Sequence, residues 1–430
     1  MQDAASIAQE ELQVSQMAEN LVGSEIIKLA GEIKDKIKQG EKIYNLTIGD
    51  FDPKVFPIPD ELKALIIKAY ENNQTNYPAG NGILELREAV SEFIAKRQGL
   101  EYSADEVLIS GGARPLIYAA YQAIVDPEDV VVFPVPSWNN NHYTHLSHAR
   151  PVFVETNVES NFMPTLKDLE PHLETANFIT LCSPLNPTGT VFSEESLSEI
   201  CEAVLAENKK RKTSGKKPLY LLFDQIYWIL TYKDTKHVDP VTLYPELRNY
   251  TIYIDGLSKA FSATGVRVGW AFGPKKVINK MKSILSHVGA WSPKAEQVAV
   301  SQYLTQHEKV DQFLNAFKKD VLARLDGFYQ GIQGLKSEGY PIDAVAPQAA
   351  IYLTVKFSLH GKTTPSGKTL ETTQDVAQYL LDEAGVALVP FYAFGASKTS
   401  HWFRLSVGTS HLDKVNSVIN QLKEAIDRLK

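Results

Sequence analysis

Between residues 106 and 273, short apolar runs alternate with stretches of helical periodicity. The runs are EVLIS (106–110), VVVFPVP (130–136), NFITLCS (177–183), LYLLFD (219–224), TIYIDG (251–256) and RVGWAFG (267–273). They are rich in β-branched and aromatic residues, which predicts buried strands. Helical patterns lie between them, as in RPLIYAAYQAIV (114–125). This alternation predicts an α/β fold with a mostly parallel sheet sandwiched by helices.

Both ends of the chain read differently. SEIIKLAGEIKDKIKQG (24–40) predicts an amphipathic helix with Ser24 as N-cap and Gly40 as its stop. After about residue 310 come a long helix (308–335), the strand candidates AAIYLTV (349–355), VALVP (386–390) and WFRLSV (402–407), and a final helix. The expected organisation is a large domain over 56–309 and a smaller α+β domain over 310–430, joined by the N-terminal segment 1–55. The charge run ENKKRKTSGKKP (207–218) falls between a helical stretch and a strand, where a solvated loop is expected rather than a docking patch.

Composition narrows the possible functions. The 430 residues are 44% apolar and 22% charged, as in a soluble globular protein of about two domains. A net charge of -7 argues against nucleic acid as the main partner. No apolar run approaches the roughly 18 residues of a membrane span. The start, MQDAASIAQEELQVSQ, lacks the basic region and apolar core of a secretory signal. Cys182 and Cys201 are the only cysteines, so neither a disulfide framework nor a zinc site is expected. The expectation is a cytoplasmic enzyme.

In an open parallel sheet, ligands bind beyond the carboxyl ends of the strands. After EVLIS comes GGARP, a small-residue turn opening a helix whose free amides suit an anion. After VVVFPVP come Ser137 and Trp138; after NFITLCS comes PLNPTG, presenting Asn186. LYLLFD ends in Asp224, with Tyr227 three residues on, and TIYIDG leads to Ser258 and Lys259. Singly, each has an ordinary explanation as a cap, a turn, a core residue or a surface charge. Their co-occurrence at one sheet edge points to a site. Lys259 and Arg267 are also cations set among apolar residues, and a buried cation needs a partner or must lose its charge.

Together, SKAFSATGVRVG, NPTG, DQIY, NYPAGNGILELREAV, TIGDFDP and FRLSVG resemble the class I/II, fold-type I, pyridoxal-phosphate-dependent aminotransferases, in the family's order and over most of the chain. The resemblance implies a ping-pong transfer of an amino group from an L-amino acid to a 2-oxo acid, 2-oxoglutarate being expected. It implies that Lys259 is the Schiff-base lysine and proton carrier, and that Asp224 pairs with the pyridine nitrogen of pyridoxal 5′-phosphate. Tyr227 and Asn186 then bond the ring's phenolic oxygen, and Trp138 stacks on the ring. The amides of Ala113 and Arg114, with Ser258 and Arg267, hold the phosphate. Arg404 grips the substrate carboxylate, with Gly49 and Asn186 close by. Tyr77 reaches the phosphate of a neighbouring subunit, which implies a homodimer. No metal, nucleic acid or membrane is implied.

Some positions depart from the family pattern. Gly256 stands where some members have a phosphate-binding serine, and Val266 where tryptophan is frequent. Trp291, Phe391 and Tyr392 replace smaller residues; they either line an aromatic or apolar substrate pocket or pack between domains. No arginine or lysine is assigned to a distal substrate carboxylate. Carbon–sulfur β-elimination on the same scaffold is the alternative chemistry. A cofactor-sensing module in a regulator is the non-catalytic one, and the short, non-basic stretch before TIGDFDP disfavours it.

Overall fold

The computed structural model of the protein describes residues 13–21, 23 and 25–430. A two-residue strand, β1 (Tyr44–Asn45), comes first. Seven strands follow: β2 (Val107–Ser110), β3 (Val130–Val135), β4 (Arg150–Glu155), β5 (Ala176–Cys182), β6 (Tyr220–Asp224), β7 (Thr251–Gly256) and β8 (Gly269–Phe272). They form one sheet in the order β2-β8-β7-β6-β5-β3-β4, parallel except for β8, which runs against both neighbours. The remaining strands are β9 (Ile342–Ala344), β10 (Tyr352–Phe357), β11 (Val386–Ala387), β12 (Val389–Pro390) and β13 (Trp402–Ser406). Four of them make an antiparallel sheet, β12-β13-β10-β9, while β11 pairs with β1.

The strands β2, β5 and β7 are almost wholly buried, as expected of a sheet covered on both faces. The helix Ala113–Ile124 buries Leu116, Ile117, Ala120 and Ile124 on one side, the i, i+3, i+4 spacing of a core-facing stripe. The long helix His307–Ser337 runs from one core to the other. Its Val310 and Leu314 belong to the large-sheet core, and Phe317, Val321, Leu325 and Phe328 to the small-sheet core.

The structure corrects several sequence expectations. The basic run is not a loop up to Ser214, because the helix Glu194–Ser214 continues through it and ends at Gly215 with φ 67°. Arg211 is buried there, held by Glu207 at 2.7 Å and by the carbonyls of Leu173 and Glu174. VALVP divides at Leu388, since β11 pairs with β1 and β12 with β13. The last apolar run of the large sheet starts as a strand only at Gly269; Arg267 precedes it with φ 61°, a left-handed residue that interrupts extended backbone. The helix at the N-terminal end spans Glu25–Lys38, and Gly40 follows it with φ 90°. Ser24, its expected cap, lies outside the described residues. Among the described residues, no helix is long and apolar enough to cross a membrane.

Candidate active site

The carboxyl ends of β2, β3, β5, β6 and β7 and the amino end of the reversed β8 meet along one rim of the large sheet. A cavity of about 660 Å³ opens there. The small sheet adds Tyr352 and Arg404 to its wall, the segment after β1 adds Thr47, Gly49 and Asp50, and the helix Glu25–Lys38 adds Ile26 and Ala30.

At the end of β2, Gly112 precedes the helix Ala113–Ile124 with φ 102°, and no side chain among the described residues caps the helix. The amides of Ala113 and Arg114 have no partner among the described residues. Arg267 lies over this turn, donating from Nη2 to the Gly111 carbonyl at 2.6 Å and from Nη1 to the Thr264 carbonyl at 2.8 Å. A methyl on Gly112 would stand 2.3 Å from that Nη2. The turn therefore needs glycine twice, for its dihedral angle and for room. Free amides beside a guanidinium form an anion cradle, and the buried Ser258 lines the same cavity.

Asp224 ends β6, and its carboxylate accepts the Ile226 amide at 3.0 Å. Burial pushes this carboxyl up to about 6, opposed by that hydrogen bond and by the Lys259 charge. Lys259 sits on the short helix Leu257–Ala260, and its Nζ donates to the Gly49 carbonyl at 2.6 Å. Burial pulls its ammonium down to about 8; Asp50 opposes this, while Arg404, Arg114 and Arg267 reinforce it. The result is an amine that releases its proton far more readily than a surface lysine.

Arg404, on β13, is 2% exposed. Its Nη1 donates to Asn186 Oδ1 at 3.0 Å and its Nη2 to the Thr47 carbonyl at 2.6 Å, while its buried Nε has no partner among the described residues. A buried guanidinium with an orphaned donor and no carboxylate beside it can receive an incoming one. Trp138 and Asn140 follow β3 in the cavity wall, and the Arg114 guanidinium lies 5.3 Å from the Trp138 ring centre. The Tyr227 hydroxyl lies 2.6 Å from that of Tyr352.

The structure thus gathers Gly49, Ala113, Arg114, Trp138, Asn186, Asp224, Tyr227, Ser258, Lys259, Arg267 and Arg404 around one space. Tyr77 is not among them: it is 81% exposed, with its ring 5.2 Å from Trp291. Trp291, Phe391 and Tyr392 do not line the cavity of this chain either. Phe391 packs on Phe162 with ring centres 5.4 Å apart, and Tyr392 lines a separate groove with Leu29 and Glu32. Sequence reasoning missed Thr47, Asp50, Tyr352 and the side chain of Arg114. Asp50 had a usable signal, a carboxylate beside Gly49 in TIGDFDP; it accepts the Thr264 hydroxyl at 2.6 Å and supports the Lys259 charge.

Comparison with known proteins gives a consistent result. The family described as aminotransferase class I and II matches residues 41–422. The aspartate aminotransferase of Rhizobium meliloti (strain 1021) is 30% identical over 94% of this chain and 92% of its own. A probable aspartate/prephenate aminotransferase of Rhizobium leguminosarum bv. phaseoli is 32% identical over 93% and 92%. Among solved structures, the Rhizobium meliloti aspartate aminotransferase covers 97% of this chain and all of its own, at 29% identity and a TM-score of 0.88. The Thermus thermophilus aspartate aminotransferase with maleate covers 96% of this chain and all of its own, at 26% identity and a TM-score of 0.84.

Proposed function

Because this chain belongs to the class I and II aminotransferases, we propose that it uses pyridoxal 5′-phosphate to move the amino group of an L-amino acid to 2-oxoglutarate. One observation carries the reading: a low-pKa lysine, a carboxylate with no ion pair among the described residues and a guanidinium with a free donor face one cavity beside an anion cradle. The residues present fit the cofactor. The amides of Ala113 and Arg114, Ser258 and Arg267 would hold its phosphate, Asp224 its ring nitrogen, Tyr227 and Asn186 its phenolic oxygen, Trp138 its ring face and Lys259 its aldehyde carbon. When bound, the group supplies an electron sink that eases proton loss from the substrate α-carbon.

The chain's own residues supply the rest. Arg404 receives the α-carboxylate by charge-assisted hydrogen bonds, with Asn186 and the Gly49 backbone alongside. That fixes which substituent of the α-carbon lies nearest Lys259, whose Nζ takes the proton and returns it. Asp224 completes the set: as an anion it favours a protonated ring nitrogen.

Arg114 supports 2-oxoglutarate as the amino acceptor and dicarboxylates as substrates. Arg267 is committed to two carbonyls and Arg404 is assigned to the α-carboxylate, but the Arg114 guanidinium has no hydrogen-bond or ion-pair partner among the described residues and lies over Trp138 inside the cavity. Maleate, found with the Thermus relative, is likewise a dicarboxylate. Turnover of aspartate, phenylalanine and alanine with 2-oxoglutarate tests this. Arg114→Met is expected to raise KM for aspartate roughly 10- to 100-fold, the range for losing one charged hydrogen bond, while sparing alanine. Equal effects on both amino acids would refute the assignment. Ammonia and pyruvate released from a cysteine conjugate without any oxo acid would instead indicate elimination. Exposure of Tyr77 at 81% supports its reaching the phosphate of a second copy; a monomer by light scattering would contradict that homodimer.

A further inference from the structure

Tyr352 has no part in this chemistry, yet it lines the cavity beside Arg404. It is 1% exposed, with its ring 4.6 Å from the Arg404 guanidinium and its hydroxyl 2.6 Å from that of Tyr227. A methyl on Gly49 would stand 2.8 Å from the same hydroxyl, so the glycine leaves space for it.

Two phenols joined by one hydrogen bond divide the roles of donor and acceptor. Tyr227 has a single proton, and on the reading above, where this inference rests, that proton goes to the phenolic oxygen of the cofactor. The bond between the tyrosines then runs from Tyr352 to Tyr227. We propose that Tyr352 is a positioning residue: by donating to Tyr227 it turns the Tyr227 proton toward the cofactor and strengthens that donation, as linked hydrogen bonds do. The electrostatics agree with this direction. Burial raises both phenols and the Arg404 charge opposes it at each, while the bond between them raises Tyr227 and lowers Tyr352. Tyr352, the phenol that their mutual bond lowers, is the better donor. Tyr352 thus links the substrate carboxylate receptor to the group that tunes the cofactor.

The test is a double-mutant cycle read in the visible absorption of the protein loaded with pyridoxal 5′-phosphate, titrated with pH. Weaker donation to the phenolic oxygen leaves more negative charge on it, so the chromophore holds its proton to higher pH. Tyr227→Phe is expected to move the band's midpoint upward, and Tyr352→Phe to move it upward by a smaller amount, roughly half a pH unit. In the Tyr227→Phe background, Tyr352→Phe should add nothing. Gly49→Ala, which displaces the Tyr352 hydroxyl, should shift the midpoint in the same direction. A midpoint unmoved by Tyr352→Phe while Tyr227→Phe shifts it overturns the proposal alone, as does a Tyr352→Phe shift undiminished without the Tyr227 hydroxyl. A Tyr227→Phe protein with an unmoved midpoint brings down the role given to Tyr227, and the inference with it.

Discussion

Lys259 carries its amine among three guanidinium groups and out of bulk water, and these surroundings set its chemistry. Its ordinary value of 10.5 falls to about 8, mainly by burial. In the cofactor-free protein, between pH 8 and 10.5, the folded chain binds fewer protons at this residue than the unfolded chain. This group therefore adds stability as pH rises through that window. Competitive acylation of the cofactor-free protein, followed by mass spectrometry, should show Lys259 half-reactive near pH 8, with exposed lysines lagging by about two units. Asp50→Asn should lower the Lys259 midpoint further, since Asp50 favours the ammonium. A midpoint at the ordinary lysine value would contradict the burial argument. At this scale the sequence was informative wherever a polar residue ended an apolar run, as at Asp224, Asn186 and Lys259. It was silent at Tyr352, because a tyrosine inside AAIYLTV looks like core until its hydroxyl is seen facing Tyr227. Arg114 was legible only through its amide, since nothing in GGARP says where the side chain turns.

The element that sets free amides beside Arg267 is the passage from β2 through Gly112 into the helix Ala113–Ile124, backed by the start of β8. Gly256 and Gly269 let β7 and β8 approach closely: a methyl on Gly256 would stand 2.9 Å from the Gly269 Cα. That accounts for glycine at position 256. Gly112→Ala combines a strained left-handed residue with a collision against Arg267. It should cost about 1–3 kcal/mol of stability and weaken pyridoxal 5′-phosphate binding roughly 10-fold or more, read by thermal melting and fluorescence titration. An unchanged dissociation constant would separate Arg267 from the phosphate. Alternation of apolar runs and helical patterns made this element readable. The limits of such reading show in the helix Glu194–Ser214. Its basic end looked like a solvated loop because no local pattern reveals that Arg211 turns inward to Glu207 and two distant carbonyls. VALVP looked like one strand because pairing partners, not propensity, divide it.

Across the whole molecule, the cavity draws Lys259, Asp224 and Asn186 from the large sheet, Arg404 and Tyr352 from the small one, and Gly49 and Asp50 from the segment following β1. The pairing of β1 with β11 holds that segment against the C-terminal part of the chain, and the helix His307–Ser337 ties the two cores together. No single stretch of sequence contains the site; its order along the chain was readable, while the convergence on one cavity came from the fold. The central claim is that, of all the lysines in this chain, one is the covalent anchor for pyridoxal 5′-phosphate. The direct measurement is borohydride reduction of the loaded protein followed by peptide mapping of every lysine. The account predicts the phosphopyridoxyl mass on the peptide containing Lys259 and nowhere else in stoichiometric amount; the label on another lysine, or on none, would contradict it.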